Sequence, residues 1–282
     1  MKFGLHVSIA GGIFNAPVNA AEKNCEVFQM FTRSPRGGQA PSLTAEVVRE
    51  FKENCQKNKF KNYYVHTPYY INYASVNNRI AFGSAQVVRQ ELERSSQLGV
   101  KALMTHLGSG KDFDQKTARQ KVVEGLLKTL DGYKGTTQFL IEIAAGAGLI
   151  LGASFEEIAF YINEVEKKDK RLKNKIGVCL DTCHMFACGY DLRNKIAVKK
   201  TFKDFDRIIG LKRLVLIHAN DSKTEFGSHK DRHEHIGDGQ IGKDGFAAIV
   251  KLAKLKNVDL ILETPHDGKE IRDLKLLKSF RD

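Results

Sequence analysis

No stretch of this 282-residue chain stays apolar long enough to cross a bilayer, and its first residues, MKFGLHVS, lack the apolar run of a secretion signal. The default expectation is therefore a cytoplasmic protein with no membrane partner. Paired cysteines are missing as well. Cys25, Cys55, Cys179, Cys183 and Cys188 are odd in number and show no zinc-type or redox spacing, so they read as reduced thiols. There is no low-complexity tract, and no linker rich in proline, glycine or serine, which argues against disorder and against a division of residues 1–282 into two domains. Acidic residues are the charge in deficit, 33 against 45 Lys and Arg, and the resulting +12 favours a polyanionic partner such as nucleic acid. Because the excess is spread along the chain and forms no arm or tail, a solvated lysine-rich surface competes with that reading.

What the chain does contain is alternation. Short apolar, β-branched runs recur at 2–7, 27–31, 62–65, 102–105, 138–143, 176–180, 214–217 and 260–262. Between them, segments such as 44–58, 82–98, 115–130, 154–168, 199–209 and 245–255 place apolar residues three and four apart. Eight strands alternating with helices predict an α/β protein built as one (β/α)8 TIM barrel. Ser154 with Glu157 three residues on predicts a capped helix start, and Leu98-Gly99 a helix end. The longest irregular stretches are 33–42, 68–79, 145–152, 184–195 and 221–244. Each follows a strand, so all would lie on the C-terminal face, where such barrels build their sites.

The run LVLI, Leu214 to Ile217, turns abruptly polar at His218, and the loop beyond it carries Asp231 and His233. The same break recurs at other strand ends: His66, His106, Glu142, Asp181 with His184, and Glu263. Singly, each residue has a plain alternative as a satisfied polar group or a helix cap. Six consecutive strand ends doing this together point to a shared site. Four carboxylates converging without cations would repel one another, whereas three divalent ions against Glu142, Asp181, Asp231 and Glu263 leave a formal +2 suited to a phosphodiester. Nine ligands, one of them bridging, supply about three per ion and leave positions open for water and substrate. His6 reads as a core or supporting histidine, His235 as a supporting or solvent-facing group, and His229 and His266 as surface residues. Cys179 and Cys183 read as packing residues, with Cys183 close enough to act as an incidental ligand. Of the tyrosines near His66, Tyr69 and Tyr70 fall in a loop, where they could wedge into a base stack.

Six segments, GLHVSIAGG, VHTPYYIN, VCLDTCHMFACGYD, HANDSK, GSHKDRHEHIG and LETP, resemble the endonuclease IV type of apurinic/apyrimidinic (AP) endonucleases over essentially the whole chain. The resemblance implies a barrel holding three zinc ions. His66, His106 and Glu142 would hold one. Glu142 would bridge to a second held by Asp181, His218 and Glu263, and His184, Asp231 and His233 would hold the third. It further implies base-excision repair of duplex DNA by a monomer. The phosphodiester 5′ to an abasic site would be hydrolysed to leave a 3′-hydroxyl and a 5′-deoxyribose phosphate, with Glu142 and Glu263 serving the chemistry and Arg36, Tyr69 and Tyr70 inserted into the DNA.

The chain departs from the family pattern in places: the loop at Arg36 is short of aromatics, and Tyr70 stands where an aliphatic residue is expected. His106-Leu107-Gly108 stands where members commonly show His-Pro-Gly, and Glu142-Ile143-Ala144-Ala145-Gly146-Ala147-Gly148 replaces a more polar loop. A metal-dependent sugar isomerase or epimerase on the same barrel is the alternative enzyme. A protein that binds abasic lesions without cutting is the alternative binder, and it predicts broken ligands that this sequence does not show.

Overall fold

The computed structural model describes residues 1–281. Strands β1 (Phe3–His6), β2 (Val27–Met30), β3 (Tyr63–His66), β4 (Ala102–Thr105), β5 (Gln138–Glu142), β6 (Ile176–Asp181), β7 (Leu214–His218) and β10 (Asp259–Leu262) are all parallel. They close into a barrel in the order β1-β10-β7-β6-β5-β4-β3-β2, and β8 (Asp221–Ser222) pairs with β9 (His233–Glu234) outside it. The barrel strands' ends fall within two residues of the eight apolar runs. Short strands buried on both faces need little beyond β-branched and apolar residues, which is why the runs located them.

Helices α1 (Ala16–Glu22), α2 (Ala45–Lys57), α3 (Asn78–Leu98), α4 (Gln115–Leu130), α5 (Phe155–Lys168), α6 (Thr182–Ala187), α7 (Lys195–Ile208), α8 (Gly242–Val250) and α9 (Glu270–Arg281) fill the connections. Their starts are set by caps. Thr44 accepts from the Val47 N–H, Asp114 from those of Lys116 and Thr117, and Ser154 from that of Glu157. Gly99, at φ 81°, ends α3 in the left-handed conformation that glycine adopts most readily. Helices α3 and α7 begin four residues before the periodic pattern suggests, because Asn77 and Asn194 cap them. Helix α8 starts three residues early and stops at Val250, followed by a 3-10 turn at Ala253–Leu255. The periodicity missed α1, α6 and α9, and α6 lies partly in a stretch expected to be irregular. At seven and six residues, α1 and α6 are too short for a periodic signal.

Strand alternation decides what faces the barrel axis. Val27, Tyr64, Met104, Leu140, Cys179, Leu216 and Ile261 form an inward apolar cluster with Ala102. Two residues further along each strand come Gln29, His66, His106, Glu142, Asp181, His218 and Glu263. The period of two places them on the same inward side, one layer closer to the C-terminal mouth. At the opposite end, Tyr64 Oη donates to Asp259 Oδ2 at 2.7 Å and Asn62 Nδ2 donates to the same oxygen at 2.7 Å, so polar groups close the base.

Strand β1 approaches β2 so closely that a methyl group on Gly4 would lie 1.7 Å from the Val27 carbonyl oxygen. Gly4→Ala should therefore destabilise the barrel by at least ~1–3 kcal/mol, the usual cost of overpacking. Urea unfolding would measure this, and an unchanged midpoint would contradict the close approach.

Candidate metal centre

Glu142 sits at the middle of the mouth, almost fully buried. Its Oε2 lies 3.0 Å from His66 Nε2 and 3.8 Å from His106 Nε2, while its Oε1 lies 2.9 Å from His218 Nδ1. Glu263 Oε2 is 3.2 Å from the same His218 nitrogen, and Asp181 Oδ2 is 3.9 Å from it. Asp231 reaches in from the rim, its two oxygens 3.2 Å from His184 Nε2 and 3.2 Å from His233 Nε2. All nine residues expected to share a site are thus brought together. Asp181 Oδ2 also lies 3.5 Å from His233 Nε2, so this carboxylate stands between the group around His218 and the group around His233.

Hydrogen bonds on the far side of each ring determine which nitrogen faces inward. A carbonyl oxygen only accepts, so His66 Nδ1 donates to Thr67 O at 2.6 Å, His184 Nδ1 to Ile143 O at 2.9 Å and His233 Nδ1 to Glu263 O at 3.1 Å. Each then presents its other nitrogen, as a lone pair in the neutral ring, to a carboxylate. A lone pair and a carboxylate oxygen repel at 3 Å unless a proton or a cation lies between them. Donor atoms around a tetrahedral zinc ion are about 3.3 Å apart, close to the separations seen here. The Nε2 atoms of His184 and His233 are buried and make no hydrogen bond of good geometry, although each lies 3.2 Å from Asp231. Imidazole and carboxylate donors suit zinc and related divalent ions, so the residues present fit a metal cluster. Five overlapping sets could each hold an ion: His66, His106 and Glu142; Glu142, Cys179 and His218; Glu142, Asp181, His218 and Glu263; Asp181, His184 and His233; and Cys183, Asp231 and His233.

With protons in place of metal, burial alone would lower every histidine of the cluster. Asp181, Asp231 and Glu142 outweigh burial at His184 and push it up to about 10, and Asp181 and Asp231 raise His233 to about 9. For Asp231 and Glu263 burial works upward, but the facing imidazoles prevail and hold both carboxyls well below their usual range. His106 differs: burial dominates and lowers it to about 4.

The ligands are held in turn by Asn220 and Asp221, polar residues that follow β7 and are not among the nine. Asp181 Oδ1 caps α6 by accepting from the His184 N–H at 2.9 Å, while Asn220 Nδ2 donates to Asp181 Oδ2 at 2.7 Å. The Glu263 N–H donates to Asn220 Oδ1 at 2.7 Å. Stretch 221–244 is not wholly irregular. It contains the antiparallel ribbon of β8 with β9, and the buried Asp221 carboxylate gathers the N–H groups of Ser222, Gly237, Gly239, Ile241 and Gly242. That ribbon fixes where Asp231 and His233 emerge. Gln29 is completely buried among the ligands, and its position two residues after Val27 on an inward-facing strand was the signal that could have found it.

His6 lies 3.5 Å from Glu263 as a neighbour behind the ligands. His235 turns away, bonded to Asp273 at 2.6 Å and 3.2 Å from Asp267. His229 and His266 are exposed. Cys179 packs inside the barrel beneath Glu142 and His218, and Cys183 Sγ donates weakly to the Arg232 carbonyl at 3.6 Å. Tyr63, Tyr64 and Tyr73 are core, whereas Tyr69, Tyr70 and Arg36 are exposed at the mouth. The Tyr69 N–H donates to Pro35 O at 3.2 Å, so the loops after β2 and β3 form one continuous rim.

Fold and site together define a metal-competent α/β barrel, and residues 18–280 match the xylose isomerase-like TIM barrel family. A relative described as a probable endonuclease 4 from Nitrosopumilus maritimus is 39% identical over 284 residues, 99% of this chain and 100% of that protein. The crystal structure of endonuclease IV from Thermus thermophilus superposes with a TM-score of 0.87 at 30% identity, covering 99% of this chain and 98% of that one. A D-tagatose 3-epimerase-like protein shares the fold at a TM-score of 0.75 and 18% identity. The chain belongs to the endonuclease IV family.

The raised histidines give the metal-free protein a defined pH response. A folded pKa above the unfolded value contributes stability that is complete below pH ~6.5 and lost as pH rises toward 9 and 10. The melting temperature of metal-stripped protein should accordingly fall between pH 6.5 and 10. Zinc should narrow that fall, because higher pH frees the same lone pairs for metal. Calorimetry with and without zinc would test this, and parallel curves would count against it.

Proposed function

We propose that this protein is a zinc-dependent AP endonuclease that hydrolyses the phosphodiester 5′ to an abasic site in duplex DNA, leaving a 3′-hydroxyl and a 5′-deoxyribose phosphate. The observation that carries this reading is the intact set of nine converging ligands in a chain of this family. Three zinc ions would be held by His66, His106 and Glu142, by Glu142, Asp181, His218 and Glu263, and by His184, Asp231 and His233. Once bound, zinc would supply Lewis-acid activation of water and offset the charge that develops on phosphoryl and leaving oxygens.

The protein's own residues have separate tasks. Glu142 lies between His66 and His218, where it would orient the nucleophile for in-line attack. Glu263 faces the same His218 nitrogen as Glu142 and would supply a second carboxylate to the ion held there. Exposed Tyr69, packed edge-on against Phe31 with ring centroids 5.4 Å apart, together with Tyr70 and Arg36, would fill the space left by the missing base and hold the abasic nucleotide outside the helix. The excess of 12 positive charges would draw the duplex to the mouth.

The test is incision of a duplex oligonucleotide carrying one abasic analogue, with bound metal counted on the same preparation. Cleavage immediately 5′ of the lesion with close to three zinc ions per chain is the expected result. No incision with one or two ions would favour a sugar isomerase or epimerase. Glu263→Gln should lower turnover by about 100-fold or more, following loss of a metal-directed carboxylate, while DNA affinity changes only a few-fold. Equal losses in both would remove Glu263 from the metal site. Arg36→Ala should instead weaken binding of abasic duplex more than that of intact duplex, measurable by fluorescence anisotropy, and equal weakening of both would remove Arg36 from the insertion.

A further inference from the structure

Gln29, on β2, is completely buried at the same inward level as the ligands and bonds two of them. Its Oε1 accepts from His218 Nε2 at 2.7 Å. Its Nε2 donates to Glu263 Oε1 at 2.6 Å and to His6 Nδ1 at 3.0 Å. The amide cannot be reversed, since that would set an oxygen against the Glu263 carboxylate and a donor against the N–H of His218. Four strands, β1, β2, β7 and β10, are therefore linked through one side chain.

We infer that Gln29 is a positioning residue for the metal group of His218 and Glu263, acting through those two ligands without touching substrate. This rests on the zinc reading above. Accepting from His218 Nε2–H fixes the ring so that the Nδ1 lone pair faces Glu142, Glu263 and Asp181. Of the four histidines whose outer nitrogen is hydrogen-bonded away from the cluster, His66, His184 and His233 use main-chain carbonyls, and only His218 uses a side chain. Its orientation is the one that a point mutation can release. The second contact engages Glu263 Oε1 and leaves Oε2, 3.2 Å from His218 Nδ1, for the ion. His6 completes the arrangement, its Nδ1 accepting from Gln29 Nε2.

The experiment removes the bonds while keeping the volume or the chemistry. Gln29→Met has similar length and no donors or acceptors, and Gln29→Asn keeps the amide but falls one methylene short. Zinc retention is read by metal counting after dialysis against graded chelator, with no DNA present. In both variants one ion per chain should be lost at chelator concentrations about 10- to 100-fold lower than for the wild type, the usual effect of losing a group behind a metal ligand. The other two ions should remain, and the melting temperature of the metal-free protein should stay within a few degrees of wild type. At limiting zinc, kcat should fall with the retained metal while KM for abasic duplex holds, because Gln29 is buried away from the DNA rim. Retention equal to wild type overturns the inference, and so does recovery by Asn alone, which would make Gln29 a polar filler. Loss of all three ions together with a lower metal-free melting temperature also overturns it, in favour of a general structural role. A wild type that binds no zinc overturns the metal reading itself, and this inference with it.

Discussion

Carboxylates held against imidazole lone pairs at about 3 Å are the constraint around which this molecule is arranged. Glu142 is buried between His66 and His218, and neither contact is favourable between a carboxylate and a neutral ring. A positive species must occupy those gaps. Protons can, which is why the cluster's carboxyls are held low and several of its histidines high, but the hydrogen bonds on the outer ring nitrogens prepare the site for metal. Three of those bonds use main-chain carbonyls that the fold supplies whatever the neighbouring side chains are.

That last point explains how the chain tolerates its departures from the family pattern. Ile143 follows Glu142 in place of a polar residue, yet its carbonyl accepts from His184 Nδ1 and its side chain packs fully buried in the core around the barrel. Leu107 is likewise buried, and its carbonyl accepts from the Tyr73 N–H. At Ile143 side-chain polarity gives way to packing, at Leu107 one apolar residue stands for another, and both leave the main-chain contacts standing.

Rigidity is distributed unevenly. Strand-borne ligands inherit the stiffness of the barrel, whereas Asp231 and His233 lie on a long excursion between β7 and α8. The Asp221 carboxylate compensates by collecting five main-chain N–H groups from both ends of that excursion, and the two-residue ribbon closes it. Asn220 joins this region to the rest by bonding both Asp181 and the Glu263 main chain. Because that order is set on folding, placing Asp231 and His233 at the site costs little further backbone entropy.

The eight apolar runs, their alternation with amphipathic segments, and the polar residue ending each of six strands were legible in the amino-acid sequence, because strand burial and strand periodicity are local properties. The nine ligands followed from that pattern together with the family resemblance. The sequence could not show how the ligands are shared, for that depends on distances across the barrel: Asp181 standing between two groups, or Glu142 facing two histidines from different strands. It separated His233, which turns inward, from His235 two residues on, but could not show that His235 turns toward α9 to bond Asp273. Gln29 shows the limit most clearly. Its strand position marks it as inward-facing, but its partners come from β1, from β7 and from the residue after β10. Only closure of the sheet brings His6, His218 and Glu263 within reach of one amide.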